Sequence, residues 1–295
     1  DARRDNGYGA SHKDERRELM ATHQTPGEVQ LRLRLSAGWI HITTEDTDET
    51  RVEIIPLNDD PATHEAAAAV REESQRRGDV YEVTVEAPDR GHRFLSFGRD
   101  PKLGIEISVP KGARVDASVA SADVSGSGSF GDVDVRSASG DVTFEQVAGV
   151  ATVKTASGDV RVGEAARGAD MKTASGDVVI GKVAEELRAA LVSGDLEVSE
   201  MAGSTHAGTV SGDIRIKNVS RGDASLRTVS GDMVFDVQQG CSVWMDLKTL
   251  SGTTSSELEL GQAPATGKAD IELRASSVSG DIRVTRGLEH APAGF

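Results

Sequence analysis

Apolar and polar residues alternate with period two through most of the chain. Val29, Leu31, Leu33 and Leu35 alternate with Gln30, Arg32 and Arg34. Farther along, Val142, Val160, Val178, Leu196, Ile214, Met233 and Ile282 are each followed two positions later by a second apolar residue: Phe144, Val162, Ile180, Val198, Ile216, Phe235 and Val284. Shorter alternating runs lie between them, as in Ala151-Thr152-Val153-Lys154-Thr155 and Ala169-Asp170-Met171-Lys172-Thr173. Period-two alternation is the signature of a strand with one face turned inward. Further strands are expected at Val52–Pro56, Val80–Glu86, Ile105–Val109 and Val115–Val119. Between them, residues 61–77 read as one helix, with Asp60 as N-cap, Pro61 at its first position and Gly78 just past its end.

The strand pattern itself repeats. Ser-Gly-Asp recurs at Ser139-Gly140-Asp141, Ser157-Gly158-Asp159, Ser175-Gly176-Asp177, Ser193-Gly194-Asp195 and Ser211-Gly212-Asp213, every 18 residues. Ser121-Ala122-Asp123 lies one period upstream. Downstream come Ser230-Gly231-Asp232, Ser251-Gly252-Thr253 and Ser279-Gly280-Asp281, at intervals of 19, 21 and 28 residues. Each step is a turn signal followed by strand formers. One period therefore reads as two short strands and two turns.

One such coil offers about five inward apolar side chains, at roughly 1.5 kcal/mol each or somewhat more. Ordering its backbone costs about 1–2 kcal/mol per residue. A lone coil does not hold; stacked coils share hydrogen-bond ladders and a core. The expected fold class is all-β: a parallel β-solenoid (β-helix) of 18-residue coils, with an irregular β-rich N-terminal part containing one helix. An antiparallel sandwich is the rival, but it does not require the same corner tripeptide every 18 residues. The expected division is a disordered tail over 1–24, a β-rich cap or first coils over 25–120, solenoid repeats over 121–286, and a tail over 287–295. Met20 is a candidate natural start. Ser36-Ala37-Gly38-Trp39-Ile40-His41-Ile42 looks like a diverged coil, and residues 255–269 read as a polar loop.

Composition narrows the function classes. Of 295 residues only two Trp, two Tyr and six Phe are aromatic, so the core is aliphatic. Acids outnumber bases 48 to 33, a net charge of -15, which argues against duplex nucleic acid or an anionic membrane as partner. A single cysteine, Cys241, excludes an intrachain disulfide. No apolar run reaches the roughly 18–20 residues of a membrane-spanning helix, so no membrane insertion is expected.

The Ser-Gly-Asp-Val ladder, its continuation to Ile282, the segment Gly240-Cys241-Ser242-Val243-Trp244-Met245-Asp246 and the opening Thr25-Pro26-Gly27-Glu28-Val29 together resemble a bacterial β-strand-repeat "putative adhesin" family of actinobacterial type. The resemblance spans about residues 20–286. It implies a solenoid architecture and supplies no catalytic residues. The coil of Thr253 and Ser256 departs from the pattern, which makes the local register there a candidate bulge.

The aspartates are the sharpest candidate site. In stacked coils Asp141, Asp159, Asp177, Asp195 and Asp213 lie roughly 4.8 Å apart. Like charges that close need an offset. Calcium is one; the favoured one is an Asx-type turn in which each carboxylate accepts a backbone N–H of its own corner. The serines Ser139 to Ser211 read as a hydroxyl ladder supporting the turn. Lys154 and Lys172 stack on one face, either solvated or facing an acidic ligand. Gly126-Ser127-Gly128-Ser129-Phe130-Gly131 has dinucleotide-fingerprint spacing but is followed by a strand, not a helix. Arg221-Gly222-Asp223 falls inside the repeat and reads as coincidence. The seven histidines show no metal-ligand spacing. No cofactor and no metal is expected, and Cys241 reads as a small core residue.

The expected function is a non-catalytic scaffold or protein-interaction module that binds a protein partner or itself, with end-to-end stacking into filaments as one form of self-association. An envelope adhesin or glycan binder is the alternative. A polysaccharide-active β-helix enzyme is disfavoured, because such enzymes use long loops, aromatic platforms and paired acids. A cytoplasmic location is expected, or an exported one if a leader has been removed.

Overall fold

The structure is a computed structural model that describes residues 19–88, 101–258 and 269–287. The tails expected over 1–18 and 288–295, and most of the 255–269 loop, lie outside the described residues.

The chain opens with β1 (Met20–Gln24), β2 (Glu28–Glu45), β3 (Glu49–Pro56), α1 (Pro61–Ala68), β4 (Arg71–Arg77), β5 (Val80–Glu86), β6 (Leu103–Pro110) and β7 (Arg114–Phe130). The repeats follow as β8 (Val133–Ser137), β9 (Val142–Val147), β10 (Val150–Ser157), β11 (Val160–Ala165), β12 (Gly168–Ser175), β13 (Val178–Val183), β14 (Glu186–Ser193), β15 (Leu196–Ala202), β16 (Ser204–Ser211) and β17 (Ile214–Ser230). Last come β18 (Met233–Val237), β19 (Val243–Ser251), β20 (Thr254–Ser256), β21 (Ile271–Ser279) and β22 (Ile282–Arg286).

The fold is the expected parallel solenoid. One coil runs along β10, turns at Ser157-Gly158-Asp159, returns along β11 and turns again at Ala166-Arg167. Ala151, Val153, Thr155, Val160, Val162 and Ala165 point inward and are buried. One coil on, Ala169, Met171, Thr173, Val178, Ile180 and Val183 fill the same six positions. The register is in step: Val153 pairs with Met171, and Val160 with Val178. A stagger of one residue would turn every one of these side chains to solvent.

Two faces result. One stacks β5, β2, β7, β8, β10, β12, β14, β16, β17, β21 and β19; the other stacks β6, β2, β7, β9, β11, β13, β15, β17, β18, β22 and β20. The long strands β2, β7 and β17 bend through a corner and belong to both. Phe130, Phe144 and Phe235 are fully buried, and the Phe130 and Phe144 rings meet edge to face at 5.2 Å. Gly126 makes room for them, since a Cβ there would lie 2.4 Å from the Phe144 ring.

The N-terminal part differs from expectation in three ways. Met20–Gln24, expected in a disordered tail, is a strand paired antiparallel with β3, and the Thr25 and Thr50 hydroxyls share a buried 2.9 Å hydrogen bond beside it. The boundary expected at 120/121 falls inside β7, through which the sheet runs unbroken. The helix expected over 61–77 stops at Ala68, although Asp60 caps it as anticipated, its carboxylate accepting the Ala62 N–H at 2.9 Å. Beyond it, Arg71-Glu72-Glu73-Ser74-Gln75-Arg76-Arg77 has no apolar residue, so a helix there would have no face to bury. The segment instead pairs antiparallel with β5 through the two-residue turn Gly78-Asp79, with Gly78 at φ +66°. Its seven polar residues then form a charged edge strand, a common guard against edge-to-edge pairing.

The C-terminal coils are out of sequence order. β21 lies between β17 and β19, and β22 lies between β18 and β20. The chain passes from β18 to the outermost rung, β19–β20, and returns to fill the gap with β21–β22. Thr253 marks no bulge; it sits in register on the final rung.

Candidate functional site

The corners stack as expected, but their chemistry runs between rungs rather than within them. Each aspartate Oδ1 accepts the backbone N–H of the aspartate one rung on. Asp141 donates to Asp123 at 2.9 Å, Asp159 to Asp141 at 2.9 Å, Asp177 to Asp159 at 3.0 Å, Asp195 to Asp177 at 2.9 Å and Asp213 to Asp195 at 2.8 Å. The chain of bonds continues through Asp232 and Asp281 to the N–H of Thr253. This corrects the expected bond to the same corner: the parallel stack brings the next rung's N–H closer than the turn's own. It also explains Thr253. The outermost rung has no successor, so nothing asks its side chain to accept. The Thr253 N–H holds the Asp281 carboxyl below the usual carboxylate range.

Glycine is required at these corners by close approach. Gly176 has φ +140°, and a Cβ on it would lie 2.2 Å from the Gly158 carbonyl oxygen. Gly158, Gly194 and Gly212 repeat the contact at 2.1–2.3 Å, and Gly140 meets the Ala122 oxygen at 2.0 Å. The serines contribute carbonyls rather than the expected hydroxyl ladder. Gly158 N–H donates to Ser175 O at 3.1 Å and Gly176 N–H to Ser193 O at 3.2 Å, while the Ser157 and Ser175 hydroxyls are exposed. The buried hydroxyls are two residues earlier: Ser137, Thr155, Thr173, Thr209, Thr228 and Ser277, with Leu191 interrupting. Ser137 donates to Gly140 O at 3.2 Å, whereas the Thr155, Thr173, Thr209, Thr228 and Ser277 oxygens lack a partner. The sequence carried this signal as a polar residue recurring at an inward position.

Two outward columns flank the corner. In the position before each corner serine stand Ala120, Ala138, Ala156 and Ala174, then Val192, Val210, Val229, Val278 and Leu250, all exposed. Leu250 on the last rung is 85% exposed. Beside this ridge runs a column of Glu86, Arg34, Ser118, Arg136, Lys154, Lys172, Ala190, Gly208, Arg227, Ser276 and Lys248, which holds six bases and one acid, with Arg136, Lys172 and Lys248 each paired to the aspartate two residues before it. Lys154 and Lys172 are thus adjacent, as expected. At its N-terminal end the ridge enters an open groove of about 700 Å³ that Arg34, Arg71, Arg136 and Glu86 line together with Ala120 and Ala138. Elsewhere Gly126 to Phe130 lie within β7, with the Gly128 N–H bonded to Glu145. Arg221-Gly222-Asp223 lies within β17. Cys241 is half-buried, its Sγ 3.2 Å from Ser220 O, and burial first, then Asp270, pushes its thiol pKa up. Among the described residues no group of three or more His, Cys, Asp or Glu could hold a metal, and no helix is long and apolar enough to cross a membrane.

The sequence profile of the Toastrack DUF4097 family matches residues 31–285, from within β2 to within β22. The chain belongs to this family. No curated protein matches it. Solved structures similar to this Toastrack chain include a protein from Bacteroides fragilis described as a "putative adhesin", at 12% identity, TM-score 0.43, and coverage of 90% of this chain and 96% of that one. A "putative adhesin" from Parabacteroides distasonis has 11% identity, TM-score 0.45 and coverage of 90% and 95%. A "putative lipid binding protein" from the same organism has 11% identity, TM-score 0.43 and the same coverage.

Proposed function

We propose that this Toastrack protein is a non-catalytic scaffold that binds a protein partner along one face of the solenoid. The observation that carries this reading is the ridge of Val192, Val210, Val229, Val278 and Leu250. Five exposed aliphatic side chains in consecutive rungs do nothing for the core, and contiguous exposed apolar surface commonly marks an interaction site. The basic column beside it suits a partner segment bearing aliphatic and acidic side chains, laid along the rod. The ridge is one side chain wide, which fits an extended segment better than a membrane surface.

A photo-crosslinking residue at Val210, introduced in the organism that makes the protein, tests this. The expected result is a discrete protein adduct that is absent when the same residue replaces Thr143 on the opposite face, and that fades in Lys154→Glu/Lys172→Glu. Equal labelling from both faces, or none from Val210, overturns it. Fractionation of the same cells decides between the cytoplasmic location proposed and an exported one, and a glycan array addresses the adhesin alternative.

A further inference from the structure

The two ends of the rod are unlike. At the N-terminal end, the edge of one face is the charged strand β4, paired with β5, and α1 packs against β3. At the other end, among the described residues, β19 pairs on one side only, with β21. Its inward residues Val243, Met245 and Leu247 are only half-buried, unlike the same positions in the rungs below. Its outward residues are Trp244, 47% exposed, then Asp246, Lys248 and Leu250.

We propose that the free edge of β19 pairs antiparallel with β19 of a second copy of this chain, closing a two-fold dimer. The proposal is independent of the partner suggested for the sheet face. The Ile271 N–H donates to Ser242 O at 3.1 Å, so the even-numbered residues of β19 direct their backbone groups at β21. The odd-numbered residues, Val243 to Ser251, therefore present theirs to the free edge. An antiparallel self-pair centred on Leu247 joins odd to odd. It sets Asp246 opposite Lys248 of the other copy, twice, and Trp244 opposite Leu250, twice. These even pairs are the closely spaced, non-hydrogen-bonded kind, where side chains interact most strongly. Sliding by two residues in one direction puts Asp246 opposite itself; sliding in the other puts Lys248 opposite itself. The edge is thus self-complementary in charge and shape in one register. A two-fold pairing uses the same patch on both copies and stops at two. In this arrangement the ends do not stack into the filament expected from the sequence, because the N-terminal edge strand β4, Arg71–Arg77, has no apolar residue to match Trp244 and Leu250.

Sedimentation equilibrium of the full chain tests this against the monomer mass of 31.0 kDa. The mass is expected to approach twice that value as concentration rises through about 1–100 µM. Asp246→Lys and Lys248→Asp each oppose like charges in both pairs and are expected to weaken the dimer at least tenfold. The double variant Asp246→Lys/Lys248→Asp restores opposite charges and is expected to dimerise again. Both side chains face solvent, so unchanged circular dichroism melts show that each variant folds. A wild-type protein that stays monomeric throughout, as it would if its own chain covered the edge, overturns the proposal. So do single variants that dimerise like the wild type, a double variant that does not recover, or higher oligomers that grow without limit.

Discussion

Alanine at Gly176 probes the corner stack most sharply. The added Cβ would lie 2.2 Å from the Gly158 oxygen, short of an ordinary contact by roughly 1 Å. Two costs follow. The φ of +140° is one that side-chain-bearing residues rarely adopt, at about 1–3 kcal/mol. Opening the corner to admit the methyl adds an overpacking cost of about 1–3 kcal/mol. It also stretches the Gly176 N–H bond to Ser193 and the Asp177 N–H bond to Asp159. The sum is about 2–6 kcal/mol, a large part of the roughly 5–15 kcal/mol typical of a folded domain. Gly112 supplies the control. It has φ +78° and nothing within 4 Å of a built Cβ, so Gly112→Ala costs about 1 kcal/mol from the backbone alone. Urea unfolding followed by circular dichroism measures both. Equal losses for the two variants would show that the rungs do not approach as closely as described.

Other outcomes follow from the same geometry. Thr173→Val removes a buried hydroxyl without a partner and is expected to raise stability by about 1 kcal/mol in the same urea assay; a loss would reveal an unseen partner. Thr253→Asp on the last rung is expected to leave the melting temperature nearly unchanged, whereas Asp177→Thr lowers it, because only Asp177 must accept from a rung above. Calcium is expected to leave the melting temperature nearly unchanged, since each Asp in the column already accepts a backbone N–H; a chelator-reversible rise of many degrees would refute this. The Asp270 carboxyl is held below its usual range by the N–H and hydroxyl of Ser242, and that of Asp281 by Thr253. A depressed carboxylate stabilises the fold above its unfolded pKa of about 3.9 and loses that contribution as pH falls through the folded value. Both residues pin the last rung. Trp244 fluorescence in a Trp39→Phe background is therefore expected to report release of β19 below about pH 4, ahead of global unfolding by circular dichroism; simultaneous loss would argue otherwise.

The repeat was legible because each coil repeats both its alternation and its corner; the end of the helix and the order of the last coils were not, for distinct reasons. Arg71 to Arg77 are good helix formers, and only the pairing offered by β5 and the Gly78-Asp79 turn makes them a strand. No local pattern distinguishes those outcomes. The swapped order of the last two coils was carried by a single residue, Thr253. Its missing carboxylate is the mark of a terminal rung, but that meaning depends on knowing that each Asp serves the next rung. The ridge was present in the sequence as the residues before the corner serines, Ala120 to Ala174 and then Val192, Val210, Val229, Leu250 and Val278. Alternation turns that position outward, as it does Lys154 and Lys172, but that the rest of the chain leaves it uncovered is decided by the tertiary fold.

The stack predicts distances as well as energies. With Cys241 replaced by Ser, spin labels at Ser157 paired in turn with Ser230, Ser279 and Ser251 measure the rung order directly. At roughly 4.8 Å per rung, the separations expected are about 19, 24 and 29 Å. Residue 251 should lie farther from 157 than residue 279 does, despite preceding it in the chain. Separations that follow sequence order, or that do not lengthen by a constant step, would contradict the stacked solenoid and its inserted last coil.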